Sequence, residues 1–228
     1  MDEISGFIQA LTVVLLPGLV AITFHEAAHG YVAKRFGDNT AYMLGRVTFN
    51  PLKHIDPFGT IILPLIMFFT TGFLFGWAKP VPVDFRNLRD PKRDMIWVAL
   101  AGPGVNIFLA LMSAFLLHTV PLMPEAAQEW FHQNLLFSVQ INVLLAVFNM
   151  LPLPPLDGGR VVTGILPGRL SYQFASIERY GMLILLAAVF LVPFTAQQLG
   201  YSFNPLFYVL LPPMDFITDL IVRVAGLT

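Results

Sequence analysis

The chain of 228 residues contains no cysteine, which excludes disulfides and any thiolate-held metal. A metal in this protein must be held by His, Asp or Glu. Charge is also scarce. Asp, Glu, Lys and Arg make up 12% of the residues, about half the share of an ordinary soluble domain. A net charge of −1 offers no field for a polyanion, so no nucleic-acid partner is expected. Repeats, low-complexity tracts and linkers long enough to separate domains are missing, and 1–228 reads as a single domain. Hydrophobic residues take up the difference, at 56% of the chain with a mean hydropathy of +0.71. That composition argues against a soluble enzyme and for a membrane protein.

A bilayer-crossing helix needs ~20 mostly apolar residues. Five strong segments meet this requirement: 6–34, 58–76, 95–118, 134–155 and 174–194. A sixth, 199–222, is interrupted by Pro212 and Pro213. Its tail sets Phe216, Ile217, Leu220, Ile221 and Val224 on one face with Asp215 and Asp219 opposite, a pattern for lying in the interface. The first segment lacks a basic leader region and runs on without a small-residue cleavage site, so it reads as a retained membrane helix. The predicted fold is an all-α polytopic membrane protein of five to six segments, with a small β-hairpin near 40–49 around Gly45.

The 13 basic residues give the orientation. They cluster in 34–57 (Lys34, Arg35, Arg46, Lys53), in 77–94 (Lys79, Arg86, Arg89, Lys92, Arg93) and in 158–180 (Arg160, Arg169, Arg179), with Arg223 near the end. The loop 119–133 has none. Basic loops prefer the cytoplasm, and six simple crossings would put 34–57 and 77–94 on opposite sides. If 58–76 dips in and returns, all 13 fall inside and the N-terminus outside. Pro64, Gly72 and Gly76 are plausible breaks in such a segment, which protein or water must satisfy.

The first segment ends in "FHEAAHG". On a helix, His25 and His29 stack on one face about 6 Å apart along the axis. Two imidazoles so placed can grip one metal, with Glu26 beside them to take a proton from water. The plainer reading has the histidines capping a helix at the interface. Ionisable groups inside a membrane segment nevertheless point to function. A catalytic zinc takes three protein ligands and keeps one position open. A third candidate is Asp157 in "NMLPLPPLDGGRV", the only acidic residue between Glu129 and Glu178. Prolines 152, 154 and 155 stop the helix before it, and Gly158 and Gly159 permit a tight turn. A helix-end turn residue is the alternative. One metal can join His25, His29 and Asp157 only if their depths match, so the two segments should run in the same direction.

HEAAH, "AGPGVN" opening a later segment and "NMLPLPPLDGG" ending another, in that order over about residues 20–163, resemble the site-2 protease family of intramembrane zinc metalloproteases. The likeness is nearest to compact prokaryotic members, because no stretch here could be an inserted PDZ domain. The resemblance implies one Zn2+ held by His25, His29 and Asp157, Glu26 as general base, and Asn149 helping to hold substrate or the developing oxyanion. For Asn149 a helix–helix hydrogen bond is the alternative. It further implies a multi-pass protein of the cell membrane acting on transmembrane protein substrates within the lipid bilayer, and the basic loops place its site toward the cytoplasm. The ~70 residues between HEAAH and AGPGVN, with the extra segment 58–76, depart from the minimal family core.

A buried substrate helix must unwind to be cut, and extended peptide is well held at a sheet edge. Residues 40–49 could supply that edge or form an ordinary surface hairpin, and 75–85 reads as extended because of its prolines. His54 and Asp56 suggest a turn before Pro57 or a second polar site. Asn106 fits a bond between helices, while Gly102 and Gly104 allow close packing. His118 and His132 suit an interface, and Trp77, Trp97 and Trp130 an aromatic belt. The competing readings are a non-proteolytic zinc-binding membrane protein and a metal transporter. A transporter should offer polar groups along a whole path, whereas Glu26 and Asp157 are nearly alone within the spans. Oligomeric state leaves no mark in the sequence.

Overall fold

A computed structural model of the chain describes residues 3–63, 65–66 and 78–227. Its main helices are α1 (Glu3–Arg35), α2 (Pro91–Leu116), α3 (Glu125–Asn149), α4 (Asp157–Ile165), α5 (Gly168–Ala175), α6 (Glu178–Gln198) and α7 (Pro205–Val224). Five of them, α1, α2 with its 3-10 extension to Leu122, α3, α6 and α7, are long and apolar enough to cross a membrane. The protein is thus an all-helical, multi-pass membrane protein, with no strand among the described residues.

Local chemistry sets the helix ends. Asp90 accepts from the Arg93 N–H and Pro91 fills the first turn, which starts α2 sharply. Asn204 and Pro205 do the same for α7, accepting from the Leu206 N–H. Pro212 and Pro213 do not break α7, which runs through both. The helix α3 begins earlier than expected and stops at Asn149, leaving 150–156 as irregular backbone before α4.

Side-chain bonds give the directions. Trp130 Nε1 donates to Thr12 Oγ1 at 2.9 Å near the starts of α3 and α1, while Asp157 just beyond α3 meets His25 and His29 in α1. These two helices therefore run parallel, as a shared ligand set requires. The helix α2 runs antiparallel to both. Its Asn106 meets Ala21 and His25, and its earlier Val98 meets His29. Small residues (Ala110, Ala114) and valines (Val139, Val143, Val147) form the buried seam of α2 and α3, on which α7 lays Leu210 and Ile221. The helices α6 and α7 remain largely uncovered by protein, as lipid-facing helices should.

The loops at the HEAAH end meet one another. Lys79 N–H donates to the His54 carbonyl at 2.9 Å, Arg89 N–H to the Phe36 carbonyl at 3.0 Å, and Asp84 N–H to Asp38 Oδ2 at 2.9 Å. The basic loops 34–57 and 78–94 thus share one end of the bundle. Of the expected segment 58–76, Pro57–Ile62 form a π-helical turn capped by Asp56; Pro64 and residues 67–77, with Gly72, Gly76 and Trp77, lie outside the described residues.

Two expectations need correction. The hairpin at 40–49 is not present: Thr40–Met43 form one helical turn that ends at Gly45, with φ 62°. Gly45 N–H bonds the Tyr42 carbonyl and Arg46 N–H the Ala41 carbonyl, so this glycine is a helix C-terminal cap, not a hairpin tip. Arg223 is not with the other basic residues, because His118 Nε2 donates to the Ala225 carbonyl at 2.7 Å. That bond puts the end of α7 where α2 gives way to α3. Of the apolar face expected at the end of α7, Ile217 and Ile221 pack on the core with Leu210 and Met214, and Phe216, Leu220 and Val224 are exposed.

Candidate metal centre

Antiparallel packing aligns successive rungs of α2 (Val98, Gly102, Asn106) with those of α1 (His29, His25, Ala21). The register is close because Gly102 has no side chain: a Cβ there would overlap the rings of His25 and His29. Asn106 is wholly buried, and Asn142 of α3 beside it. Its Nδ2 donates to the Ala21 carbonyl at 3.2 Å and to Asn142 Oδ1 at 2.8 Å. A carbonyl can only accept, so the amide orientation is fixed. Asn106 Oδ1, 2.6 Å from His25 Nδ1, must therefore accept from an N–H on that nitrogen. The Val98 carbonyl, 2.7 Å from His29 Nδ1, imposes the same tautomer on His29.

Both Nε2 lone pairs are left pointing into one space. The two Nε2 atoms are 3.0 Å apart, and Asp157 Oδ2 lies 3.2 Å from one and 3.3 Å from the other. All three residues are buried, and Asp157 Oδ2 has no hydrogen-bond donor. Three buried electron pairs facing each other repel unless a cation sits among them. A tetrahedral ion with bonds of about 2.0–2.1 Å has ligands roughly 3.3 Å apart, so the triangle fits zinc in size as well as in donor type. It is the only such cluster of three among the described residues. Holding each ligating imidazole by its other nitrogen is how proteins orient metal ligands.

Asp157 is delivered by the glycines after it. A Cβ on Gly158 would strike the Met150 carbonyl, and one on Gly159 the backbone at Leu153 and Pro154. The first turn of α4 can thus press against 150–154 and carry the carboxylate to the histidines. Lys92 Nζ bonds the Leu166 carbonyl, and the Arg160 guanidinium lies 5.1 Å from the Phe85 ring, tying α4 to the basic end.

Glu26 lies beside the triangle, half-buried, its Oε2 accepting from the Val81 N–H at 2.6 Å. Asn149 does not join the cluster here. Its Nδ2 donates to the Leu145 carbonyl of its own helix at 2.9 Å, rather than between helices. Asp38 ties 36–40 to 84–87. Burial alone would raise its pKa, but bonds from Thr40, the Asp84 N–H and Asn87 outweigh that and hold it below the usual carboxylate value. Bonds from Arg86 keep half-buried Asp84 at about 2. His54 and Asp56 belong to turns: His54 Nε2 donates to the Thr48 carbonyl, and Asp56 caps the turn after it.

Sequence reasoning missed Asn106 and Val98 as partners of the histidines, and the Val81 N–H as partner of Glu26. The spacing of Val98, Gly102 and Asn106, four residues each, matches that of His25 and His29 and was the one signal for them. A backbone donor leaves none.

Two histidines and a carboxylate around a zinc-sized space, with a glutamate next to them on an apolar helix, are a set that could hold a zinc ion. Comparison with known proteins agrees. The sequence profile of peptidase family M50 matches residues 120–192, a stretch with Asp157 but not HEAAH. Relatives carrying provisional zinc-metalloprotease names extend the likeness. YwhC of Bacillus subtilis is 39% identical over 82% of this chain and 83% of that protein. Rip2 of Mycobacterium tuberculosis is 31% identical over 82% and 70%. A protein of Methanocaldococcus jannaschii is 31% identical over 61% and 63%. No solved structure matches. The chain belongs to peptidase family M50, the site-2 protease family, and is a zinc metallopeptidase of the intramembrane type.

Proposed function

We propose that the chain hydrolyses peptide bonds in or near transmembrane segments of other membrane proteins, using one Zn2+ held by His25, His29 and Asp157. The observation that carries this reading is the meeting of three buried lone-pair donors beside a carboxylate, on helices that belong in lipid. Zinc held there would polarise a carbonyl and bring the pKa of water to about 7. Glu26 accepts the proton that water loses as its oxygen adds to the scissile carbonyl carbon, and passes it to the amide nitrogen as the C–N bond breaks. Asn149 would have to release the Leu145 carbonyl to reach a substrate; substrate binding is the role we assign it. The basic loops at the HEAAH end support a site toward the cytoplasm by the charge rule.

Glu26→Gln tests the reading. With a purified model membrane substrate it should lose at least ~100-fold in cleavage while still binding one zinc per chain. Normal cleavage by that variant would sink the mechanism. A zinc-binding parent that cuts nothing would favour a binding protein or transporter. Against the transporter stands the single cluster among the described residues, where a path would need several.

A further inference from the structure

Before Asp84 the chain crosses the HEAAH turn of α1 in a stretch without regular secondary structure, 78–83, whose sequence is AKPVPV. Proline carries no N–H and holds its predecessor extended. Val81 is thus the one backbone donor among residues 80–82, and it is spent on Glu26 Oε2 at 2.6 Å. Much of the surroundings serves to hold that donor still. Lys79 N–H is bonded to the His54 carbonyl. Arg46 Nη2 donates to the Lys79 carbonyl at 2.8 Å and reaches the Pro80 carbonyl at 3.5 Å. The Val81 side chain is buried in a notch over Gly30, where a Cβ would lie 3.2 Å from Val81 Cγ1 and 2.8 Å from Val47 Cγ2. Arg46 is 9% exposed and has no acidic partner among the described residues. A guanidinium is costly to bury, yet this one is given to two backbone carbonyls immediately before the donor.

We propose that Arg46 is a positioning residue for the reaction: through the strap 78–83 it sets the Val81 N–H that fixes one oxygen of Glu26, so that the other is presented to water in one orientation. This rests on the protease reading above. General-base transfer needs a hydrogen-bond fit to the proton it takes, and a misplacement near 1 Å can cost ~100-fold.

The test compares the full-length parent with Val81→Pro, Val81→Ala, Arg46→Gln and Arg46→Lys for kcat, KM and zinc per chain. Val81→Pro removes the N–H and keeps an extended backbone; Val81→Ala keeps the N–H and loses packing. Val81→Pro and Arg46→Gln should each lose ~10- to 100-fold in kcat, with KM and zinc content held. Val81→Ala should lose at least ~10-fold less than Val81→Pro, and Arg46→Lys should recover some of the Arg46→Gln loss. The double variant should fall no further than the worse single one, as for residues acting through one contact. Independently of cleavage, amide exchange at Val81 should be slow in the parent and faster in Glu26→Ala. Equal losses in Val81→Pro and Val81→Ala, loss of zinc from Val81→Pro or Arg46→Gln, or unchanged exchange overturns the proposal. In each of those cases a cutting parent and an inactive Glu26→Gln leave the protease reading standing; a parent that cuts nothing removes both.

Discussion

His25 and Glu26 are neighbours in sequence, yet they are held by unlike means. The histidine is gripped from inside the bundle by a wholly buried asparagine on α2, itself bonded to Asn142 on α3. The glutamate is held from outside by the backbone of a loop that is itself pinned by Arg46. On the proposed mechanism, one helix turn therefore carries a metal grip built into the core and a proton acceptor set by a loop packed outside it. A fixed ligand set and a separately tuned base can be altered independently, and that separation is open to experiment.

The largest effect should come from forcing the core side apart. Gly102→Ala puts a methyl group into the space of both imidazole rings, so zinc per purified chain should fall to near zero along with activity. A variant that keeps full zinc would show that α2 does not set the histidine positions. Next, Asn106→Ala leaves the ligands but frees the His25 ring, and zinc affinity should drop ~10- to 100-fold in a chelator competition. Unchanged affinity would remove Asn106 from the grip. On the loop side the effect should be the smallest. Asp38 has a lowered pKa in the folded state, so its bonds add stability that is complete above the ordinary carboxylate value of ~3.9 and is lost as pH falls through the lower folded value. Thermal unfolding in detergent should show acid lability in the parent that Asp38→Asn lacks, with zinc content at neutral pH the same in both. If Asp38→Asn lost zinc, loop and core would not be separable.

Much of this division is legible in the sequence alone. HEAAH, the lone Asp157 after a proline-broken segment, and the parallel course of the two helices all follow from hydropathy, basic-residue distribution and the demand that three ligands meet. The partners of the ligands are not, because a contact such as Asn106 to His25 depends on the register between two helices, and one sequence shows each helix separately. Gly45 was misread since a glycine at positive φ serves a hairpin tip or a helix cap equally well; the bonds from Gly45 and Arg46 back to Tyr42 and Ala41 decide it. Arg223 misled because one charge at a helix end carries little weight against the packing of α7 on α3 and the His118 bond.

The parallel course of α1 and α3 has a consequence for synthesis. His29 leaves the ribosome 128 residues ahead of Asp157. In between, α2 must be inserted against α1 and α3 laid alongside it before the carboxylate can reach the histidines. A growing chain thus holds its imidazole pair, already set by Val98 and Asn106, long before it holds a complete ligand set. On the proposed mechanism an unfinished protease is therefore a harmless one, inactive until its third ligand has been made.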